Sequence, residues 1–221
     1  MGIDWRERAG ELWTIPNLVS LARLPLLIVL VVLLESLWRY PLFALIVFTD
    51  ALDGWLARRL DQTTELGAML DPALDKLTAL LLFFVLFPRT ELAIEYLVLF
   101  FARDGFVIAL GVLSPLLTID AGDVQANTLG KVVTNVQFMT MVAMLVPQVP
   151  ATQLLMWLLG VASVLAIADY LVFVGREMTA TGLFESREAA AGVYVGTALV
   201  FLVVVRLLLF EELQETVELI I

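Results

Sequence analysis

The chain reads as an all-α integral membrane protein: seven apolar transmembrane helices and a short N-terminal helix at the interface. Three observations predict this. Of its 221 residues, 61% are hydrophobic and the mean hydropathy is +0.96, whereas soluble domains sit nearer half apolar. A soluble fold of this size cannot hide so much apolar surface, which makes the bilayer its solvent. The apolar residues also gather into seven long runs. Only helices and closed barrels satisfy their backbone inside hydrocarbon, and barrel strands are much shorter than these runs.

The opening, MGIDWRERAGELWTIPNL, places acids and tryptophans before the first apolar run, and no small-residue cleavage site follows. It is therefore not a signal peptide. Residues 1–14 read as an amphipathic segment anchored at the interface by Trp5 and Trp13. The apolar runs have approximate limits 15–36, 38–58, 66–87, 91–117, 128–147, 151–175 and 189–210. Each can cross ~30 Å of hydrocarbon as a helix of about 20 residues. Short polar connections separate them: WRY, FPRTE, TIDAGDVQAN, PQVP and the longer REMTATGLFESRE. No soluble domain, low-complexity segment or internal repeat interrupts the series. The expected division is an interfacial segment 1–14, a transmembrane domain 15–176 and an added helix 189–210.

Arginine and lysine placement sets the orientation. With the N terminus inside, Arg6, Arg8, Arg58, Arg59, Arg176 and Arg187 face the cytoplasm, while Arg39 and Arg89 face out. Seven spans then put the acidic tail EELQETVELII outside. Arg206 falls within the seventh run, near enough to its end to snorkel.

Composition narrows the chemistry. The chain has no cysteine and no histidine, so disulfides, thiolate metal sites and imidazole bases are excluded. Acid–base or metal chemistry must rest on Asp and Glu. The net charge is −10 and the only lysines are Lys76 and Lys131, a balance that argues against nucleic-acid binding. An acidic, lysine-poor, cysteine-free chain fits a salt-loving organism; composition alone leaves ordinary drift open as well.

The second and third runs are not uniformly apolar. They read FTDALDGWLARRLDQTTELGAMLDPALDKL. Asp50 and Asp53 are three residues apart and Asp71 and Asp75 four apart, so each pair shares a helix face. A short connection makes the two helices antiparallel neighbours, which lets both acidic faces meet near the cytoplasmic end. One Asp at the centre of a membrane helix costs about 2.5–3.5 kcal/mol, and four near one level would cost on the order of 10 kcal/mol. Divalent cations remove that cost: hard ions such as Mg²⁺ prefer oxygen ligands, and a pair can clamp both sides of a phosphate displacement. The neighbours suit phosphate chemistry. Gly54 and Gly67 clear space, Ala57 keeps a turn narrow, and Arg58 offers a fork to a phosphate oxygen. A structural ion-pair network with Arg58 and Lys76 fits less well, because four acids against two bases leave net buried negative charge.

These residues carry a resemblance. Asp50-x-x-Asp53-Gly54-x-x-Ala57-Arg58, then eight residues, then Gly67-x-x-x-Asp71-x-x-x-Asp75, resembles the complete signature of the CDP-alcohol phosphatidyltransferase family. The resemblance extends more loosely over the first six spans. It implies a six-helix bundle, usually a homodimer, with a site open to the cytoplasmic leaflet; a seventh span departs from that pattern. It also implies roles. Asp50, Asp53 and Asp71 would hold two divalent metals, Mg²⁺ or Mn²⁺, and Asp75 would be the general base, with a metal contact open to it as well. Gly54, Arg58 and Gly67 would line the CDP pocket. Attack by the acceptor hydroxyl on the lipid-side phosphorus would release CMP.

Other polar residues admit two readings. Pro16-Asn17, Ser20 and Arg23 open the first span. They make either a plain helix start, with Asn17 as N-cap and Arg23 snorkelling, or a segment similar to the family's PN-x-x-[ST]-x-x-R stretch near the nucleotide. Arg103-Asp104 lies in the middle of the fourth run, where a charge needs a reason. Adjacent residues point about 100° apart around a helix, which favours Arg103 as an anchor for an acceptor phosphate over an internal ion pair. Lys131, with Thr134, could complete that anion pocket, and Arg176 is either a third phosphate ligand or a topology charge. GKVVTNVQ, residues 130–137, resembles the GK-x-K-T-x-x-Q stretch of phosphatidylglycerophosphate synthases with one lysine missing. It favours glycerol phosphate as acceptor, with inositol phosphate, serine or another headgroup left open. The donor would be CDP-diacylglycerol, or CDP-archaeol in a halophilic archaeon. Two rivals remain: a cation transporter, since intramembrane carboxylates often mark ion pathways, and a non-catalytic relative that only binds lipid nucleotide. Transporters commonly show repeated halves, whereas the acids here form one cluster, and a non-catalytic relative would usually have lost an aspartate.

Overall fold

The computed structural model describes residues 14–60, 65–117, 128–146, 150–178 and 186–210, with single positions 214 and 217. The expected interfacial segment 1–14, apart from Thr14, and most of the acidic tail lie outside them. Among the described residues there are seven α-helices and no strand: α1 Ile15–Val32, α2 Arg39–Arg59, α3 Glu65–Leu86, α4 Tyr96–Leu117, α5 Thr128–Met144, α6 Pro150–Met178 and α7 Arg187–Leu208. A 3-10 turn, Phe87–Arg89, follows α3.

Four of these helices are long and apolar enough to cross a membrane, over Ile15–Val32, Tyr96–Leu113, Ala151–Arg176 and Arg187–Leu208. The sequence reading allowed all seven to do so. The other three differ for visible reasons. Helix α2 carries Asp50, Asp53, Arg58 and Arg59 towards its C-terminal end. Helix α3 has 22 residues but carries Glu65, Asp71, Asp75 and Lys76. Helix α5 has 17 residues and includes Lys131.

Two boundaries moved by more than three residues. The first helix stops at Val32 instead of 36 because the chain reverses over 33–38. There the Trp38 N–H donates to Ser36 Oγ at 3.3 Å, and Arg39 donates to the Leu34 carbonyl at 3.0 Å and to the Tyr40 hydroxyl at 2.8 Å. The fourth helix starts at Tyr96 instead of 91, because Glu91 has a left-handed backbone (φ 58°) that no helix continues through.

The chain forms two compact units, Met1–Arg89 and Thr90–Ile221. In the first, α1 packs on both α2 and α3. Ser20, Arg23, Leu27, Leu30 and Leu34 are buried at alternating three- and four-residue steps, the spacing of one helix face. Phe43 and Ile46 are buried on α2, and Leu74, Thr78, Leu82 and Leu86 on α3. Phe83 stacks on Phe87 with ring centroids 5.0 Å apart. Arg89 pairs with Glu35, tying the turn after α1 to the turn after α3. That guanidinium holds the Glu35 carboxyl below the usual carboxylate range. The pair is exposed and adds little stability. An aliphatic groove of about 250 Å³ runs between α1 and α3, lined by Leu24, Leu27, Ile28, Val31, Leu81 and Val85 among others.

In the second unit α6 is central, packing on α4, α5 and α7. Its buried face follows the same three-four rhythm: Thr152, Met156, Leu159, Ser163, Ala166 and Tyr170. Without a hydrophobic driving force inside lipid, such contacts depend on close packing, which small residues permit. Gly160 shows it: a Cβ there would stand 2.9 Å from Leu99 Cδ2 and 3.2 Å from Phe201 Cζ, so α4 and α7 both close on that point. Helix α7 has Ser186 as N-cap, its hydroxyl accepting from Ala189 N–H, and buries only Val205. The Tyr194 hydroxyl also ties α7 to α6, donating to Asp169 Oδ1 at 3.0 Å. Arg206 lies exposed in the last turn of α7, over the Phe210 ring at 3.8 Å, as expected of a cation that reaches for the interface.

Candidate functional site

Both aspartate pairs fall on continuous helix, Asp50 and Asp53 on α2 and Asp71 and Asp75 on α3. At these four positions, and at Gly54, Ala57, Arg58 and Gly67, the backbone alone is described. Helical register still relates them to described neighbours. On α2 the buried stripe Phe43–Ile46 continues, at steps of four and three, to positions 50 and 53. On α3 the buried stripe Leu82–Thr78 continues backwards to positions 75 and 71 by the same steps. The positions that continue both stripes are acidic in sequence.

The inward face of α1 changes along its length. Its C-terminal half is leucine, and its N-terminal half is Asn17, Ser20 and Arg23, which are 4%, 1% and 2% exposed. The cap residue is Thr14, which makes no side-chain capping hydrogen bond; Asn17 sits inside the first turn. The plain reading of this segment is thus corrected on both counts: Asn17 is not the N-cap, and Arg23 does not snorkel. The reason is spacing, since positions 20 and 23 lie on the stripe that packs against the neighbouring helices. Ser20 Oγ donates to the Pro16 carbonyl at 3.2 Å. Arg23 and Asp50 are about equally far, roughly ten residues or 15 Å, from the turn that joins α1 and α2. A buried cation thus stands at the level where the acids begin.

Two threonines that the sequence reading passed over flank the acids. Thr49, buried beside Asp50, donates to the Ile46 carbonyl at 2.7 Å. Thr78, one turn beyond Asp75, is buried, and its hydroxyl has no hydrogen-bond partner among the described residues. The donor set is all oxygen, and no histidine or cysteine occurs in the chain, so the residues fit hard divalent ions and not soft ones. Among the described side chains no group of three or more metal-ligating residues occurs; the four aspartates lie outside that set.

In the second unit an ion pair forms between neighbours in sequence. Arg103 and Asp104 are adjacent, yet they pair: Arg103 Nη1 donates to Asp104 Oδ1 at 2.9 Å. The long arginine side chain bends across the angle that separates the two Cβ directions. Arg103 Nη2 donates to the Tyr170 hydroxyl at 3.0 Å. Gln137 Nε2 donates to Asp104 Oδ2 at 2.7 Å and to the Phe100 carbonyl at 3.0 Å. Gly130 seats the group, because a Cβ there would stand 2.8 Å from Arg103 Nη2 and 3.0 Å from the Tyr170 hydroxyl. Lys131 is exposed on the next residue of α5, and Thr134 Oγ1 donates to the Gly130 carbonyl at 3.1 Å. Arg176 is exposed near the end of α6. The structure therefore brings Arg103 together with Asp104, Gln137, Gly130 and Tyr170. The sequence had marked Gly130 and Gln137 only as ends of the GKVVTNVQ segment.

The sequence profile described as CDP-alcohol phosphatidyltransferase matches residues 13–168. A CDP-diacylglycerol–glycerol-3-phosphate 3-phosphatidyltransferase of Pseudomonas fluorescens is 46% identical over 69 residues, 28% of this chain and 35% of that protein. A protein of the same name from Aquifex aeolicus is 35% identical over 103 residues, 44% of this chain and 58% of that protein. A cardiolipin synthase (CMP-forming) of Rattus norvegicus is 38% identical over 101 residues, 44% of this chain and 33% of that protein. The matched part thus spans a third to just over half the length of these curated relatives. No solved structure matches. The profile match begins at Trp13, just before α1, and ends at Ala168 within α6. It takes in all four aspartates, Arg103 and Lys131, and leaves out Tyr170, Arg176 and the whole of α7. On that coverage the chain belongs to the CDP-alcohol phosphatidyltransferase family.

Proposed function

We propose that the chain is a membrane enzyme that moves a phosphatidyl or archaetidyl group from a CDP-linked lipid to a small alcohol and releases CMP. The observation that carries this is the complete aspartate signature, residues 50–75, lying on two helices inside the family match. Asp50, Asp53, Asp71 and Asp75 would hold two divalent ions, Mg²⁺ or Mn²⁺. Bound there, such ions supply charge stabilisation on the phosphate oxygens. Gly54, Arg58, Gly67 and Asn17 would contact the CDP-lipid, and the aliphatic groove in the same unit offers hydrocarbon to its chains. Asp75 takes the proton from the acceptor hydroxyl as that oxygen bonds to the lipid-side phosphorus. The bond from phosphorus to the bridging oxygen breaks, and CMP leaves with the electron pair. Purified protein with a panel of alcohols and CDP-lipids should release CMP only when donor and acceptor are both present. Absence of CMP release with every pair would overturn the assignment.

The favoured acceptor is glycerol phosphate, resting on the GKVVTNVQ segment and on the names of the Pseudomonas and Aquifex relatives. Its phosphate would be bound by Arg103, Lys131 and Arg176 through charge-assisted hydrogen bonds. Arg103→Ala and Lys131→Ala are expected to raise the acceptor KM strongly and to leave the CDP-lipid KM nearly unchanged. Glycerol phosphate should be used far better than glycerol. A better rate with an unphosphorylated alcohol such as serine, or normal acceptor kinetics in both variants, would remove the anion pocket.

The site faces the cytoplasm in this reading, the bundle has six helices plus α7, and the enzyme is a homodimer. Single cysteines at Thr63 and at Thr216, in separate variants, test the topology with an impermeant label on intact cells. Thr216 should be labelled and Thr63 should not. Labelling of both or neither would mean an even number of crossings.

A further inference from the structure

We infer that Gln137 and Tyr170 are positioning residues for Arg103, holding its guanidinium in one direction for the anionic part of the acceptor. The inference rests on the acceptor reading above and adds residues that neither the family signature nor the anion-pocket argument names.

Arg103 is a cation in the middle of an apolar 22-residue helix. Such a charge is costly unless its donors are satisfied. A sealed ion pair would satisfy that need alone, and this pair is not sealed: the side chains of Arg103 and Asp104 keep 18% and 34% of their exposure. The residues that grip the pair are the buried ones, Gln137 at 9% and Tyr170 at 2%. Fixed, closed partners surround a part-open guanidinium.

Each grip has a direction. Gln137 spends its amide N–H groups on Asp104 Oδ2 and on the Phe100 carbonyl, one turn earlier on α4. Asp104 is thereby held by both oxygens, one to Gln137 and one to Arg103, which draws its charge into the network. Tyr170 of α6 takes the other terminal nitrogen of Arg103. Gly130 of α5 lets the backbone close to the distance at which any side chain would strike Arg103 Nη2. Three helices thus fix one rotamer of one arginine. Only two of its five N–H donors are used in these bonds, and Nε is buried with no partner among the described residues. A planar fork held this way recognises an anion at low entropic cost.

The test uses the purified full chain, glycerol phosphate as acceptor and CMP release as readout, with donor and acceptor KM measured separately. Gln137→Leu removes the hold on Asp104, and Tyr170→Phe removes one acceptor with almost no change of volume. Both should raise the acceptor KM, on the order of tenfold for Gln137→Leu since small misplacements cost that much or more. The donor KM should stay put and kcat should change less than KM. Arg103→Ala should raise the same KM at least as far. If Arg103→Ala raises the acceptor KM while Gln137→Leu and Tyr170→Phe do not, the positioning role is overturned and the anion pocket stands. If Arg103→Ala leaves it unchanged, or wild-type protein makes CMP but not from glycerol phosphate, the acceptor reading falls and takes this inference with it. If the Gln137 and Tyr170 variants lose folded, active protein at unchanged KM, the cluster only holds the helices together and the inference is wrong.

Discussion

Asp75→Asn is expected to lower CMP release by roughly 10²–10⁴-fold, the usual contribution of a general base, while CDP-lipid binding largely survives. The substitution keeps the shape of the side chain and removes its proton affinity. No other side chain of the usual kind can take over, because the chain has no histidine. Position 75 also continues the inward stripe of α3, one turn before the buried Thr78. Asp53→Asn is the contrast: a residue that only ligates metal should lose metal affinity and donor binding together. Turnover and CDP-lipid binding measured side by side separate the two patterns. A larger loss at Asp75, with impaired binding, would show that it also touches metal. Near-normal turnover would remove it from the base role.

Excess chelator is expected to bring CMP release to background, and added Mg²⁺ or Mn²⁺ to restore it. Four carboxylates on two neighbouring stretches of apolar sequence would cost on the order of 10 kcal/mol if left as bare charges. With Arg58 and Lys76, the buried Arg23 on α1 brings three positive charges against four negative ones. The remaining imbalance calls for cations from solution, and oxygen donors select hard ones. Soft ions such as Zn²⁺ should restore less. Full CMP release in excess chelator would sink the two-metal arrangement.

Helix number and helix order were legible because apolar runs of this length have few other solutions in a bilayer. The ends were legible to within a few residues except at 33–38 and 91–95, where side-chain bonds to the backbone and one left-handed residue decide. The aspartate pairs were legible because three- and four-residue spacing is a local rule. The Arg103 cluster was not: Gln137 reaches Asp104 from 33 positions away and Tyr170 reaches Arg103 from 67, and local spacing carries no trace of such contacts. Arg23 could have been read correctly, since it shares its stripe with Leu27 and Leu30. Thr78 gave no sign, because a threonine within an apolar helix reads as filler.

The length of α6 has a consequence for the lipid around the protein. Its 29 residues rise about 43 Å, against a hydrocarbon thickness of about 30 Å. The neighbouring α7 has 22 residues and rises about 33 Å, close to a match. The two helices are tied at Asp169–Tyr194 and at Gly160–Phe201, so α6 cannot tilt freely to shorten its span. Thin bilayers would push its Arg176 end further into water, and thick ones would draw it towards the headgroups, at a cost of fractions of a kcal/mol per Å. The acyl length of the host membrane would thereby set how deep the last turn of α6 sits.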